Sequence, residues 1–104
     1  MTIQVINTES YQIFSLDSVQ PVVLYQSESL TSLLVCVEAG QKLSPCVMSM
    51  QVLYVVLSGS GQIFVADEEA ELKPGSLIVV RTGDVRSIKA DERMRVLAIQ
   101  MPHS

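Results

Sequence analysis

The chain has 104 residues, of which 48% are hydrophobic and 17% are charged, so it has room for one folded domain and is too apolar to be disordered. Its 7 basic and 11 acidic residues give a net charge of −4. Because no run of Lys or Arg is present that could follow a phosphate backbone or bind an anionic bilayer, neither nucleic acid nor a membrane is predicted as a partner.

The sequence predicts neither a targeting signal nor a membrane-spanning segment. The first ten residues lack the basic and apolar parts of a signal peptide. The longest apolar runs, 52–57 and 77–80, are much shorter than the ~18–20 residues that span a bilayer. We therefore expect a cytoplasmic protein, in which Cys36 and Cys46 are reduced thiols. A disulfide between them remains an alternative.

In chain order, residues 8–16 are predicted to form at most one short helical turn. From residue 33 onward, β-branched and apolar runs alternate with turn residues, which is typical of strands and hairpins. Pro74-Gly75 predicts a type II turn, because proline fixes φ at one position and glycine accepts a positive φ at the next. The acidic run 67–69 is interpreted as a solvated hairpin tip. The predicted strands are 33–38, 47–57 with a break near Ser49, 62–66, 77–80, 85–89 and 93–101.

This strand pattern predicts an all-β domain, either a sandwich or a closed antiparallel barrel. The last strand, 93–101, is apolar on both faces. A strand that is apolar on both faces needs cover on both sides, and the segment 22–24 is also apolar. Since large exposed apolar patches are rare on monomers and two-fold association is the commonest oligomer, we predict a homodimer.

Residues 40–86 resemble the two sequence motifs of the cupin superfamily, in its small single-domain form. The first motif reads glycine, five residues, His-x-His, three or four residues, glutamate, then six residues to a glycine. Its positions are occupied here by Gly40, Cys46, Met48, Val52 and Gly59. The second motif reads Pro-Gly, a hydrophobic strand, a turn glycine and a histidine, and is matched by Pro74-Gly75, Gly83 and Arg86. The resemblance implies that residues 1–104 form one antiparallel double-stranded β-helix, or jelly-roll barrel.

In the family, the motif histidines and glutamate typically bind Fe, Mn, Zn or Ni inside the barrel. Val52 has no donor atom and Arg86 stays charged, so these positions do not suit such a metal, and we expect no metal cofactor. One alternative is a soft ion such as Cu(I), held by the sulfur atoms of Cys46, Met48 and Met50 if one strand face carries all three. The simpler interpretation is that these side chains fill the interior. The sole histidine, His103, lies in the C-terminal tail.

The candidate ligand-binding residues are Cys46, Met48, Val52, Tyr54, Arg86 and Gln100. Arg86 either reaches into the barrel, where it would bind a small carboxylate in two-pronged fashion, or pairs at the rim with Asp84 or Glu92. The sequence therefore predicts a metal-independent binding protein, such as a sensor or accessory module. The alternatives are an isomerase, lyase or dioxygenase that uses a soft metal or Tyr54 and Arg86, and a structural or oligomerisation module with a filled interior.

Overall fold

A computed structural model of the chain describes residues 3–102. A short 3-10 helix spans Thr8–Tyr11, where one helical turn was predicted. Within this described range, no helix is long and apolar enough to cross a membrane. The strands are β1 Val22–Gln26, β2 Thr31–Val37, β3 Lys42–Val47, β4 Gln51–Ser58, β5 Gly61–Val65, β6 Glu68–Leu72, β7 Leu77–Val80, β8 Val85–Ala90 and β9 Met94–Met101.

The strands form two sheets, one with the order β1-β2-β9-β4-β7 and the other with the order β3-β8-β5-β6. Every strand pair is antiparallel. Strands that are distant in sequence lie side by side, because β9 is inserted between β2 and β4. This arrangement confirms the predicted all-β antiparallel class.

The core lies between the two sheets and is built from alternate residues of each strand. On β4, Val52, Tyr54 and Val56 are at most 5% exposed, whereas Leu53 and Val55 are only half-buried. The same alternation runs along β9. Because side chains on a strand point to opposite faces in turn, a slip of one residue would expose the whole buried set.

The turn predicted at Pro74-Gly75 is present. The Ser76 amide donates to the Lys73 carbonyl at 3.0 Å, and Gly75 has φ +91°, as a type II turn requires. Gly59 also needs to be glycine, since it has φ +84° and a Cβ there would lie 2.0 Å from the Arg93 carbonyl oxygen. Both glycines belong to the motif pattern that predicted the fold.

The strand predicted over 47–57 is in fact two elements. Val47 is the last residue of β3, and β4 begins at Gln51. The Met48 amide donates to the Asp84 carbonyl at 2.9 Å, and the Gly83 amide donates to the Met48 carbonyl at 2.8 Å. These bonds hold the chain beside the β7–β8 turn until it crosses to the other sheet, so the break near Ser49 is a change of sheet.

Three strands, β1, β3 and β6, were missed from the sequence, where the segment 22–24 was noted only as apolar. β3 contains Pro45, which is tolerated because β3 is an edge strand with an irregular register at that point. β6 begins at Glu68, so the acidic run 67–69 is only partly a hairpin tip, and Glu68 pairs with Val65. Exposed charges on such an edge strand discourage further strand pairing, and they also hide it from a search for apolar alternation.

The N-terminal segment covers the outer face of β2. The backbone of Ile13 hydrogen-bonds to the Cys36 thiol, and the Arg93 guanidinium lies 4.1 Å from the ring centroid of Phe14. Cys36 is consequently 1% exposed, and this burial raises the pKa of its thiol. Cys46 is exposed and lies in the other sheet, so both cysteines are free thiols, and the alternative of a disulfide does not hold.

Candidate functional site

One cross-strand row of the four-stranded sheet contains Cys46, Arg86 and Glu68. The register places Arg86 opposite Cys46 on β3 and opposite Val65 on β5, and Val65 in turn lies opposite Glu68 on β6. Arg86 alternates along β8 with Ile88, which is 1% exposed in the core. Since alternate residues share a face, the Arg86 side chain points toward the interior of the molecule.

Tyr54 approaches the same guanidinium from the opposite sheet. It is 5% exposed, and this burial raises the pKa of its phenol, while the charge of Arg86 and a hydrogen bond with it act in the lowering direction. The nearby Cys46 thiol adds a smaller raising effect. The structure therefore brings Cys46, Tyr54 and Arg86 together, with Tyr54 as a neutral hydrogen-bonding group.

The Arg86 guanidinium is incompletely paired. Its Nη1 donates to the Ser44 carbonyl over a long 3.4 Å, and its Nε is buried with no hydrogen-bond partner. The partners considered for it from the sequence are engaged elsewhere. The Asp84 carboxylate accepts from the Arg81 amide at 3.0 Å, and the Glu92 carboxylate accepts from the Ser60 hydroxyl at 2.7 Å. The geometry thus leaves a cation with spare donor capacity facing inward.

The remaining candidate residues have different surroundings. Met48 and Val52 are 8% and 0% exposed and belong to the apolar core. Gln100 is half-buried and lies opposite Val52 in the β4–β9 register. None of the three adds a second charged or nucleophilic group beside Arg86.

The residues at the motif's metal-ligand positions do not fit a metal in a nitrogen and oxygen site, because Val52 has no donor atom and Arg86 is a cation. Within residues 3–102, no group of three His, Cys, Asp or Glu side chains lies together as a metal site would need. The predicted alignment of Cys46, Met48 and Met50 on one strand is wrong, since β3 ends at Val47. His103 lies outside the described residues.

A groove of about 640 Å³ opens between the edge strands β6 and β7, where the two sheets separate. It was not predicted, and the candidate residues do not line it. It is nevertheless adjacent to them, because its lining residues Val65 and Ile78 are the direct cross-strand neighbours of Arg86 and Tyr54. The lining combines apolar Ile63, Val65, Ala70, Ile78 and Val79 with charged Glu68, Glu69, Arg81 and Asp84.

No family model and no curated protein matches the chain. Several solved structures are similar to it. A protein of Thermus thermophilus superposes with a TM-score of 0.89 at 19% identity, over 98% of this chain and 100% of that one. An RmlC-like cupin protein from Desulfovibrio desulfuricans gives a TM-score of 0.86 at 20% identity, over 97% and 98% of the two chains. A cupin superfamily protein from Desulfitobacterium hafniense gives 0.81 at 22% identity, over 90% and 86%. At these identities the likeness concerns the fold alone, and it confirms the resemblance that the motif glycines carried: the chain has the double-stranded β-helix fold of the small cupins.

Proposed function

We propose that the protein is a metal-independent binding module that takes a small carboxylate-bearing molecule at Arg86. The observation that carries this proposal is the inward-facing guanidinium whose Nε is buried without a partner. An unsatisfied buried donor costs roughly 1–3 kcal/mol, and a ligand that supplies the missing acceptor recovers that free energy. A carboxylate matches the forked donors of arginine with two oxygens at once.

The groove supports a ligand with an apolar body. Its volume of about 640 Å³ lies within the roughly 300–1,000 Å³ of small-molecule sites, which are mostly apolar with a few orienting polar groups. Glu68 stands two strands from Arg86 in the same row, at a spacing of about 10 Å between backbones. Its carboxylate disfavours a second negative charge on the ligand. A monocarboxylate with a short hydrocarbon part is therefore the best match.

Binding is favoured over catalysis and over a purely structural role. The raised pKa of Tyr54 keeps its phenol protonated, so it serves as a hydrogen-bond donor and is a poor general base. The open groove beside Arg86 is not what a structural module with a filled interior would have. We place the module in the cytoplasm, where an exposed thiol such as Cys46 stays reduced.

The test is a thermal-shift screen followed by calorimetric titration with acetate, butanoate, hexanoate, glutarate and inorganic phosphate. Wild type, Arg86→Ala and Lys89→Ala are compared. Lys89 is the matched control, because it is an exposed cation on the same strand. We expect the monocarboxylates to raise the Tm of wild type and Lys89→Ala and to have no effect on Arg86→Ala. Equal binding by wild type and Arg86→Ala contradicts the proposal, whereas a preference for phosphate identifies a different anion.

Metal independence has its own measurement. After dialysis, elemental analysis is expected to find no stoichiometric Fe, Mn, Ni or Zn, because the ligand positions lack nitrogen and oxygen donors. About one equivalent of any of these metals would overturn this part of the proposal. One equivalent of copper that binds only under reducing conditions, and that is lost in Cys46→Ser, would favour the soft-metal alternative.

A further inference from the structure

We infer that the ligand is a zwitterion, an ω-amino monocarboxylate whose ammonium group lies against Glu68 in the groove. This inference rests on the proposed binding of a carboxylate at Arg86 and names the class of molecule that carries the carboxylate. Arg86 and Glu68 lie in one cross-strand row, on either side of Val65. The row therefore holds a cation and an anion at two positions that the strand register fixes.

Both charges lie on the interior face of the four-stranded sheet. Arg86 alternates along β8 with the core residue Ile88. Glu68 lies four residues before Leu72, which is 2% exposed in the core. Since residues at even spacing along a strand share a face, the side chains of Arg86 and Glu68 point to the same side of the sheet. Val65, between them, and Glu68 itself line the groove on that side.

The Glu68 carboxylate is not neutralised by the chain. Among residues 3–102, the one ion pair joins Arg93 and Glu38, so no Lys or Arg of this range lies within ion-pair distance of Glu68. The charged side chains that line the groove are three carboxylates and one guanidinium, those of Glu68, Glu69, Asp84 and Arg81. A cleft with an excess of one sign of charge attracts the opposite sign, so the groove favours a cationic group on its ligand.

The spacing of the two charges selects the shape of the ligand. Two strand intervals, about 10 Å between backbones, separate Arg86 from Glu68. An α-amino acid carries its ammonium and carboxylate on one carbon, so it matches only one end of this spacing. An ω-amino acid carries them at opposite ends of a hydrocarbon chain, and apolar Ile63, Val65 and Ile78 line the groove where that chain would lie. A plain alkanoate would instead place hydrocarbon against an unpaired carboxylate, which is unfavourable.

The inference is tested by calorimetric titration of the whole chain with hexanoate, 6-aminohexanoate and 2-aminohexanoate. The two amino acids are isomers that differ only in the position of the ammonium group. Because Glu68 is exposed, we expect wild type to bind 6-aminohexanoate only about three- to fivefold more tightly than hexanoate, which is the gain typical of an exposed ion pair. The isomer 2-aminohexanoate should show no such gain, since its ammonium lies beside its carboxylate.

Two variants of β6 assign the gain to one carboxylate. Glu68→Gln removes the charge with little change in shape, and it should abolish the gain of 6-aminohexanoate over hexanoate. The matched control is Glu71→Gln, because Glu71 is an exposed carboxylate on the same strand that does not line the groove. Glu71 is adjacent to Leu72 in sequence and therefore lies on the opposite face of the strand. The control should keep the full gain.

The outcomes separate this inference from the carboxylate proposal. If hexanoate binds wild type but not Arg86→Ala, and 6-aminohexanoate binds no more tightly than hexanoate, the inference alone is overturned. An equal gain in wild type and Glu68→Gln also overturns it alone, because the ammonium group would then lie elsewhere. If none of the three ligands binds, or if all bind Arg86→Ala as tightly as wild type, both the carboxylate proposal and the inference are wrong.

Discussion

Replacing Arg86 with methionine should stabilise the protein in the absence of ligand. The substitution keeps a long apolar stem and removes the buried Nε that has no partner, which recovers roughly 1–3 kcal/mol. It also loses the 3.4 Å bond to the Ser44 carbonyl and the interaction with Tyr54, each worth about 0.5–1 kcal/mol at this quality. The net expectation is a gain of about 0.5 kcal/mol, or about 2–4 °C in Tm for a domain of this size.

Calorimetry and urea unfolding of wild type, Arg86→Met and Lys89→Met measure this effect. Lys89→Met should stay within about 0.5 kcal/mol of wild type, because Lys89 is exposed. Saturating carboxylate should reverse the order by stabilising wild type alone. If Arg86→Met lowers the free energy of unfolding by 1 kcal/mol or more without ligand, then the guanidinium is satisfied in the folded protein and the reasoning about its spare donors is wrong.

Three other predictions concern the scaffold. Gly59→Ala should lower the free energy of unfolding in urea by clearly more than Gly83→Ala. Both glycines have a positive φ, but a Cβ at Gly59 would lie 2.0 Å from the Arg93 carbonyl oxygen, whereas a Cβ at Gly83 would meet nothing within 4 Å. Gly83→Ala should therefore show only the ~1–2 kcal/mol backbone cost. The pKa of Tyr54 is raised from its ordinary value of 10.0, so the native state binds the phenol proton more tightly than the unfolded state does. Stability should therefore fall as the pH rises above about 10, and Tyr54→Phe should lessen that decline. The hydrogen bond and charge of Arg93 lower the pKa of Glu38 from 4.5, so the contribution of Glu38 to stability is present above pH 4.5 and lost as the pH falls below it. Glu38→Gln should therefore lose less stability than wild type on acidification. Because Arg93 is 60% exposed, 1 M salt should reduce this difference between the two proteins.

The fold could be predicted because its signals are local. Motif glycines mark turns where φ is positive, as at Gly59 and Gly75, and runs of β-branched and apolar residues mark the strands between them. Two of the three missed strands, β3 and β6, lack such signals. β3 carries Pro45, and β6 begins with charged residues. Both are edge strands, where burial is one-sided at best and hydrophobic alternation is weak.

The site could be predicted only where the family pattern applied. Aligning Arg86 with a ligand position placed it on an inward-facing strand, and the register confirms that it lies opposite Cys46. Glu68 and the groove could not be found in this way. Their relation to Arg86 depends on the β5–β6 and β5–β8 registers together, which no single segment encodes. The one indication of this relation was that the Glu68 carboxylate pairs with apolar Val65 across the β5–β6 hairpin.

The four motif positions fall into two groups, and the division follows their burial. Val52 and Met48 are part of the core, at 0% and 8% exposure, so a carboxylate or imidazole at these depths would need a bound cation to offset its desolvation. Cys46 and Arg86 lie side by side on β3 and β8, where Cys46 is exposed and Arg86 is half-buried. One half of the motif positions is therefore filled by apolar packing, and the other half is polar. The chemistry that remains is concentrated at Arg86, beside the groove that opens between β6 and β7.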